Sequence, residues 1–322
     1  MITRRAILAE PGRFELIKDD VKPAPRELLV KVAVCGLCNW EINHYHGIVG
    51  SCPQPLGHEW AGTVAAMGEE VKGFSVGDHV VAMPVYIGFA DYAVVDYERA
   101  VKIDPAMPLE HALGEPLKCV ITVTRATNAK AGDCGVIYGC GPMGLWSTQI
   151  LAGGSLGALV CVDTDDRKLA LAQKYGATHT ANPLRDDVAT VVSEATAAHM
   201  ADFVIEGTGI PEILGECVKL LRTTGRGRVV LMSSHKRPCK DFDFREMVSR
   251  SAEIVVAHAK YSEDQIEDMR RGLRLLERGV IRMEDIITHR YELAEIGQAF
   301  EDLVNKPDGY IKGVIIPTAT AE

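Results

Sequence analysis

The sequence predicts an α/β protein with a β-rich first part followed by a doubly wound parallel sheet. Up to about residue 120, short valine-rich alternating stretches are broken by glycine turns, which is typical of strands. From about residue 130, apolar runs alternate with amphipathic stretches, and this alternation indicates βαβ units. The length of 322 residues and the hydrophobic content of 47% are consistent with one large or two ordinary globular domains.

The elements follow in chain order. In the first part, β-branched runs predict strands in RELLVKVAVCGLC, WAGTVAAM, VGDHVV and GFADYAVVDY. In the second part, apolar runs predict strands in CGVIYGCG, ALVCVD, ADFVIEGTG, RVVLMSS and AEIVVAHAK. Helical patterns lie between them in PMGLWSTQILAGGS, PEILGECVKLLRTT and TDDRKLALAQKYGA, where Thr164 is the expected N-cap. The tail predicts two helices, SEDQIEDMRRGLRLLERGV and LAEIGQAFEDLVNK, and a last strand, YIKGVIIP.

Charge and hydropathy exclude several classes of function. The net charge of −9 argues against a nucleic-acid partner. No apolar run is long enough to span a bilayer, so we expect no membrane partner. The start, MITRRAILAEPGRFEL, lacks the apolar core of a signal peptide, and we therefore expect a cytoplasmic protein.

The nine cysteines show no disulfide framework. Only Cys35 and Cys38 are closely spaced, and a structural zinc site needs four such ligands, so we expect no structural zinc. Five cysteines in apolar segments are interpreted as packing residues: Cys35, Cys119, Cys134, Cys140 and Cys161.

The stretch VIYGCGPMG contains the spacing Gly139-x-Gly141-x-x-Gly144 between a predicted strand and a predicted helix. This is the context in which the pattern binds a dinucleotide pyrophosphate. Asp163 ends the next strand, 19 residues after Gly144, where a carboxylate accepts hydrogen bonds from ribose hydroxyls and repels a 2′-phosphate. We therefore predict NAD rather than NADP, although Arg167 lies nearby. The predicted cofactor-binding residues are Gly139, Gly141, Pro142, Met143, Gly144, Asp163, Arg167 and Thr208.

The stretch GHEWAGTV places His58 and Glu59 side by side, and Cys38 lies upstream. A catalytic zinc takes three protein ligands and keeps an open position, and these residues offer nitrogen, oxygen and sulfur donors. Two unrelated polar residues on a turn are the alternative interpretation of the His-Glu pair.

The chain resembles the zinc-dependent medium-chain dehydrogenase/reductase family over nearly its whole length. The resemblance rests on VCGLC, GHEWAG, VGDHVV, GFADYAVV, EPLKCV and GCGPMG, which occur in the family's order and approximate spacing. It implies a GroES-like catalytic domain at 1–118, a Rossmann NAD-binding domain at 119–261 and a C-terminal segment, 262–322, that returns to the first domain.

The resemblance also implies a ligand set. The family's zinc ligands fall on Cys38, His58 and Glu59. In the sorbitol- and polyol-dehydrogenase branch, the Glu of a Glu-Pro-Leu motif also reaches the metal or its water, and here that residue is Glu115. Glu115 is therefore counted both as a displaceable metal ligand and as a proton acceptor.

Two departures from the family pattern matter. The stretch AMPVYIGFADY runs straight through where many relatives insert a four-cysteine lobe with a structural zinc. Trp40 replaces the Ser or Thr that passes the substrate proton outward, and an indole N–H only donates. The usual histidine is Asn43, with His44 one position late, so the proton must leave through Glu115, His44 or water.

The pocket prediction follows from these departures. We count Glu115, His44 and Trp40 as catalytic-site residues. Trp60 is expected to flank the pocket or to lie in the core. Glu41 and Asn43 are, with His44, candidate hydrogen-bonding partners of a polyol.

The sequence thus predicts a zinc- and NAD-dependent oxidoreductase acting on a secondary alcohol of a polyol, sugar or cyclitol. Two alternatives remain open: a zinc-free quinone or enone reductase of the same fold, and a non-catalytic NAD(H)-binding sensor. The apolar strand AEIVVAHAK is expected at a sheet edge, where it favours pairing with a second subunit, so we predict a homodimer or homotetramer.

Overall fold

The structure, a computed structural model, describes residues 1–235, 237–240 and 242–317, and the chain divides into two compact units. Unit 1 comprises Met1–Lys118, Met269–Glu277 and Met283–Glu322, and unit 2 comprises Cys119–Asp268 and Arg278–Arg282. Positions 318–322 of the predicted C-terminal segment lie outside the described residues.

The strands and helices of the described residues have the following bounds. The strands are β1 Ile2–Glu10, β2 Arg13–Asp20, β3 Glu27–Gly36, β4 Gln54–Pro55, β5 Glu59–Met67, β6 His79–Ala82, β7 Tyr92–Asp96, β8 Ala100–Lys102, β9 Cys134–Tyr138, β10 Ala158–Val162, β11 His179–Ala181, β12 Phe203–Glu206, β13 Arg228–Leu231, β14 Glu253–Val256, β15 Ile287–Glu292 and β16 Lys312–Ile316. The α-helices are α1 Glu41–Tyr45, α2 Gly114–Ala126, α3 Pro142–Ala152, α4 Asp166–Lys174, α5 Val188–Ala195, α6 Ile213–Lys219, α7 Phe244–Arg250, α8 Gln265–Glu277 and α9 Ile296–Asn305.

Unit 1 is built around β3, the valine-rich strand of the sequence. This strand pairs antiparallel with β5, β7 and β16 in a seven-stranded sheet of order β15-β16-β3-β5-β6-β8, from which β7 branches. A second sheet has the order β2-β1-β4. Apolar side chains from β3 and β5 pack with those of α9 in one core, which includes Val30, Trp60 and Phe300. The predicted C-terminal strand therefore lies beside the strand that leads to Cys38.

Unit 2 contains a six-stranded parallel sheet of order β11-β10-β9-β12-β13-β14. Its strands are short and almost wholly apolar, as expected of strands buried on both faces. Because the strands are parallel, the turns after β9, β10 and β12 meet at one edge of the sheet. The predicted doubly wound sheet is confirmed.

The structure also corrects the local predictions. The cap of α4 is Asp165, whose carboxylate accepts from the Arg167 backbone N–H, and the prediction of Thr164 is wrong by one residue. A carboxylate accepts that bond more strongly than a hydroxyl does. Ten strands and helices were not predicted: the strands β1, β2, β4, β8, β11 and β15, and the helices α1, α2, α5 and α7.

All nine cysteines are free. Among those assigned to packing, Cys35, Cys140 and Cys161 are buried, whereas Cys119 and Cys134 are partly exposed. Within the described part of the chain, no helix has the length and apolar character needed to cross a membrane.

Candidate active site

Strand register in unit 1 brings Cys38, His58 and Glu59 together. The end of β3 pairs with the start of β5, so that Gly36 lies opposite Glu59. Cys38 follows β3 by two residues and His58 immediately precedes β5. One donor atom from each side chain lies within 4.8 Å of the other two, and no other such cluster of three or more ligand-type side chains occurs among the described residues.

Two glycines give these side chains their space. A Cβ atom on Gly36 would lie 2.2 Å from Oε2 of Glu59. Gly57 has φ of +88°, and a Cβ there would lie 2.6 Å from the backbone nitrogen of Phe89. The glycine before His58 is therefore required by the left-handed backbone and by the close approach of the neighbouring chain.

Glu41 orients the imidazole of His58. Its Oε1 lies 2.9 Å from His58 Nδ1 and accepts from the Gly57 backbone N–H at 2.7 Å. In this contact Nδ1 carries a proton and donates it in a hydrogen bond to the carboxylate, which leaves Nε2 free to bind a metal. Glu41 is fully buried and engaged by His58 and Gly57, so its predicted role as a polyol partner is wrong. Asn43 is also buried, and its contact with a polyol stays a prediction.

Lys312 is a supporting residue that sequence reasoning missed. Its Nζ donates to Glu59 Oε2 at 2.5 Å and to the Leu37 carbonyl at 2.9 Å, and its side chain is almost fully buried. The lysine reaches this place because β16 pairs with β3. A pairing between residues 253 apart in sequence has no local signal.

The charges of this cluster are strongly coupled. Burial lowers the pKa of His58, but Glu41 and Cys38 outweigh burial and raise it well above its ordinary value. Burial raises the pKa of Glu59, but Lys312 and His58 outweigh burial and lower it. Burial and Glu59 raise the pKa of Cys38. A metal that binds here must therefore displace protons from Cys38 and His58, and its affinity should fall as the pH falls.

Glu115 lies on α2 and is buried. Its Oε1 accepts from Lys118 Nζ at 2.6 Å, and its charge contributes to raising the pKa of Lys312. The three-residue ligand cluster does not include Glu115. Ligation by Glu115 stays a prediction, and it requires the carboxylate to come closer to the three ligand side chains.

The aromatic residues near the ligands divide into core and surface. Trp60 is 1% exposed and lies in the core, where its indole N–H donates a hydrogen bond to the Val85 carbonyl. It therefore does not flank a pocket. Trp40 is 39% exposed and stands beside the partly exposed His44. Tyr86, which sequence reasoning missed, has its ring centroid 4.8 Å from that of His58.

The donor set fits zinc. One thiolate, one imidazole and one carboxylate are ligand types that zinc takes in catalytic sites, and the Glu41–His58 contact is the carboxylate support that a ligating histidine usually has. The second carboxylate oxygen of Glu59 accepts from Lys312, so the other oxygen is the candidate ligand atom.

We expect Glu41→Gln to weaken zinc binding by about 10- to 100-fold, because the amide keeps the size of the side chain but loses the charge that supports the imidazole. Titration against a chromophoric chelator measures the zinc Kd. The exposed Glu69→Gln is the matched control and should leave the Kd unchanged. A Glu41→Gln variant with wild-type Kd would show that Glu41 only fills space.

The glycine-rich turn of unit 2 has the shape of a dinucleotide site. It joins β9 to α3, with Pro142 at the first position of the helix and Met143 next to it. A Cβ on Gly144 would lie 2.0 Å from the Gly139 carbonyl oxygen, whereas a Cβ on Gly141 would meet no atom within 4 Å. Gly144 therefore serves close packing of the turn, and Gly141 borders open space. Binding of a pyrophosphate in that space stays a prediction.

The other predicted cofactor residues lie after neighbouring strands. Asp163 follows β10 and accepts from the Cys140 and Asp165 backbone N–H groups, at 2.7 and 2.9 Å. Arg167 is exposed, and its guanidinium group donates hydrogen bonds to the Asp165 carboxylate. Asp163 is thus fixed against the glycine turn.

Thr208 is held by a residue that was missed. The buried Glu206 at the end of β12 accepts from the backbone N–H and the hydroxyl of Thr208, at 2.7 and 2.5 Å, and from the Gly209 N–H at 3.0 Å. The signal for this turn was present in the stretch VIEGTG, where a carboxylate ends an apolar strand before two glycines. Binding of a cofactor by Arg167 and Thr208 stays a prediction.

We expect Gly141→Ala and Gly144→Ala to fail in different ways. Gly141→Ala should keep the melting temperature and weaken NADH binding by at least about tenfold, because the methyl group occupies the space of the pyrophosphate. Gly144→Ala should lose about 1–3 kcal/mol of stability through its clash with Gly139. Calorimetric unfolding and NADH titration separate the two effects. Wild-type NADH affinity in Gly141→Ala would contradict this assignment of the site.

A Cys-His-Glu cluster in an antiparallel β unit and a glycine turn in a doubly wound unit together define the class of metal-dependent dehydrogenases. Comparison with known families agrees: residues 24–105 match the alcohol dehydrogenase GroES-like domain and residues 142–278 match the zinc-binding dehydrogenase family. The chain belongs to the zinc-dependent medium-chain dehydrogenase/reductase family of oxidoreductases. The predicted GroES-like and Rossmann folds are confirmed.

Individual proteins that resemble this chain are named as dehydrogenases or reductases. The chain is 29% identical to the (R,R)-butanediol dehydrogenase of Bacillus subtilis, over 69% of this chain and 74% of the relative. It is 26% identical to the D-xylulose reductase of Saccharomyces cerevisiae, over 98% of each chain. The crystal structure of galactitol-1-phosphate dehydrogenase from Escherichia coli superposes with a TM-score of 0.87 at 20% identity, covering 98% of this chain and 100% of the other.

Proposed function

We propose that this chain is a zinc-dependent dehydrogenase that transfers a hydride between NAD and a secondary alcohol of a polyol, sugar or cyclitol. The observation that carries the proposal is the convergence of Cys38, His58 and Glu59 donor atoms within 4.8 Å, with Glu41 behind the imidazole. The relatives support the substrate class, since a butanediol dehydrogenase and a xylulose reductase act on small hydroxylated molecules.

The residues of the site have separate tasks. When bound, zinc would supply Lewis acidity toward the alcohol oxygen and NAD would be the acceptor of the hydride, and the hydroxyl proton would be left for the residues of this chain and water to take up. Cys38, His58 and Glu59 hold the metal. Glu41 fixes the ring orientation of His58, and Lys312 holds one oxygen of Glu59.

The released proton needs a path that avoids Trp40. Glu115 is buried near Lys312 and has its carboxylate on Lys118, while His44 is partly exposed and has its Nδ1 3.2 Å from Gln54 Oε1. Glu115, His44 and water are the proposed acceptors, because each either accepts a proton or passes one on, whereas an indole N–H does neither.

The choice of NAD rests on Asp163. Its carboxylate is fixed beside the glycine turn, where it suits two ribose hydroxyls and repels a 2′-phosphate. Arg167, the residue that favours NADP in principle, has its guanidinium on Asp165. We therefore propose that kcat/KM is higher with NAD than with NADP.

The test is a panel of polyols, sugars and cyclitols assayed with NAD and with NADP, on protein whose metal content is known. The proposal expects about one zinc per chain, turnover of at least one alcohol with NAD, and loss of turnover on chelation that added zinc reverses. Full activity without metal would favour the zinc-free quinone or enone reductase. NAD binding with no turnover of any alcohol would favour the sensor.

The protein is proposed to be a cytoplasmic homodimer or homotetramer. The strand β14 ends the order of the unit 2 sheet, and exposed apolar side chains lie on it and on α7, including Val256, Phe244 and Val248. An apolar strand edge favours pairing with a second copy. We expect light scattering to give at least twice the chain mass for the wild type and a smaller assembly for Val256→Lys. A monomeric wild type would contradict the assembly.

A further inference from the structure

A row of rings leads from the metal-ligand cluster to the surface. The Tyr86 ring centroid lies 4.8 Å from that of His58 and 5.7 Å from that of His44. The Trp40 ring lies 6.3 Å from that of His44, and the two planes meet at 79°. Exposure rises along the row, from the buried His58 through the partly exposed Tyr86 and His44 to Trp40 at 39%.

The His44 ring is held in place by a polar contact. Nδ1 of His44 lies 3.2 Å from Oε1 of Gln54. The Trp40 indole stands edge-on to this ring. A tryptophan side chain has only two rotatable bonds, so it loses little conformational entropy when a ligand packs on its face.

The face of an indole has a definite chemical preference. It carries the negative part of the ring quadrupole, which attracts the weakly positive C–H groups of a saturated ring. A cyclitol or a pyranose has a rigid face of such C–H groups, with hydroxyls around its rim. An open-chain polyol has no continuous C–H face and must freeze several rotors to make one.

We propose that Trp40 determines specificity by stacking on the C–H face of a cyclic polyol, a cyclitol or pyranose sugar, whose rim hydroxyls contact His44 and Tyr86. This proposal rests on the proposed function, which it narrows from polyols in general to ring-form polyols. It gives the bulky residue at position 40 a task that the small hydroxyl residue of relatives does not perform.

The tryptophan content of the chain provides a direct binding assay. Of the three tryptophans, Trp60 and Trp146 are 1% and 0% exposed, so acrylamide quenching of intrinsic fluorescence reports on Trp40. The probes are myo-inositol, scyllo-inositol and glucose, each compared with sorbitol, an open-chain polyol with the six hydroxyls of an inositol. At least one ring probe is expected to reduce the quenching slope about twofold or more, and sorbitol is expected to leave it unchanged. Trp40→Phe should show almost no quenching with or without probe.

Kinetics give the second readout. Trp40→Leu keeps an apolar side chain but removes the π face, and it should lower the ratio of kcat/KM for ring polyols over open-chain polyols by about 30-fold, mainly through KM. Trp40→Phe keeps an aromatic face, and it should lower the same ratio of kcat/KM values by a smaller factor. Zinc content equal to that of the wild type shows that both variants keep the metal site.

The outcomes separate this inference from the proposed function. Protection of Trp40 by a ring polyol without turnover of any alcohol supports stacking and contradicts the dehydrogenase. Turnover of open-chain polyols with NAD and no protection by any ring probe supports the dehydrogenase and overturns stacking. A quenching slope that falls with protein concentration alone would show that a second copy of the chain covers Trp40, and would also overturn stacking.

Discussion

Cys38→Ala is expected to abolish zinc binding and to lower kcat/KM by about 10²–10⁴-fold. The variant removes the thiolate, one of three donors, and leaves the imidazole and carboxylate of His58 and Glu59 alone. Metal polarisation of an oxygen is worth several kcal/mol, and each 1.4 kcal/mol is a factor of ten in rate. Elemental analysis of the purified variant and steady-state kinetics measure the two effects.

The matched control for this variant is Cys35→Ala. Cys35 is three residues upstream, fully buried in the core of unit 1 and directed into packing. Its replacement should cost about 1 kcal/mol of stability through a small cavity and leave zinc content and kcat/KM close to those of the wild type. Equal loss of metal in both variants would show that the loss follows general destabilisation and not removal of a ligand.

Lys312→Met should be among the most destabilising single changes in the metal-free protein. Methionine fills the volume of the lysine but leaves the buried Glu59 without its counter-charge. Removing one partner of a buried ion pair costs about 3–5 kcal/mol. At about 2–4 °C per kcal/mol for a unit of this size, the melting temperature in the presence of a chelator should fall by at least about 6 °C.

Zinc and a surface control complete this test. Added zinc should restore part of the loss, because a cation on Glu59 replaces the ammonium group as counter-charge. The exposed Lys72→Met should shift stability by no more than about 0.5 kcal/mol. A chelated Lys312→Met protein as stable as the wild type would mean that Glu59 is protonated or solvated when no metal is present.

Local patterns predicted those parts of the fold whose cause is local. The strands β3, β9 and β10 are valine-rich or wholly apolar, and their sequence already shows how they are buried. Short or half-exposed elements were missed: β11 has three residues and one exposed side chain, and most of β2 faces solvent, so neither has an apolar run. The misplaced cap of α4 has the same origin, because Thr164 and Asp165 are both good capping residues and only the backbone conformation decides between them.

In the site, too, the sequence predicted some residues and not the roles of others. Cys38, His58 and Glu59 were identified because motif and resemblance carry them, and the structure brings them together. The supporting roles of Glu41 and Lys312 escaped prediction, since Glu41 begins a five-residue helix and Lys312 belongs to a strand far along the chain. Their partners are fixed by tertiary packing and by the register of β16 on β3, which no local sequence pattern encodes. The roles of residues at such positions can be inferred only once the strand pairing is known.

The central claim is that one zinc ion is held by Cys38, His58 and Glu59. Anomalous diffraction recorded on either side of the zinc absorption edge, from crystals of protein purified without added metal, tests it most directly. We predict a single zinc peak per chain, about 2.3 Å from the Cys38 sulfur and about 2.0–2.2 Å from Nε2 of His58 and an oxygen of Glu59. A zinc peak elsewhere, or a fully active protein with no peak among these three side chains, would contradict the account.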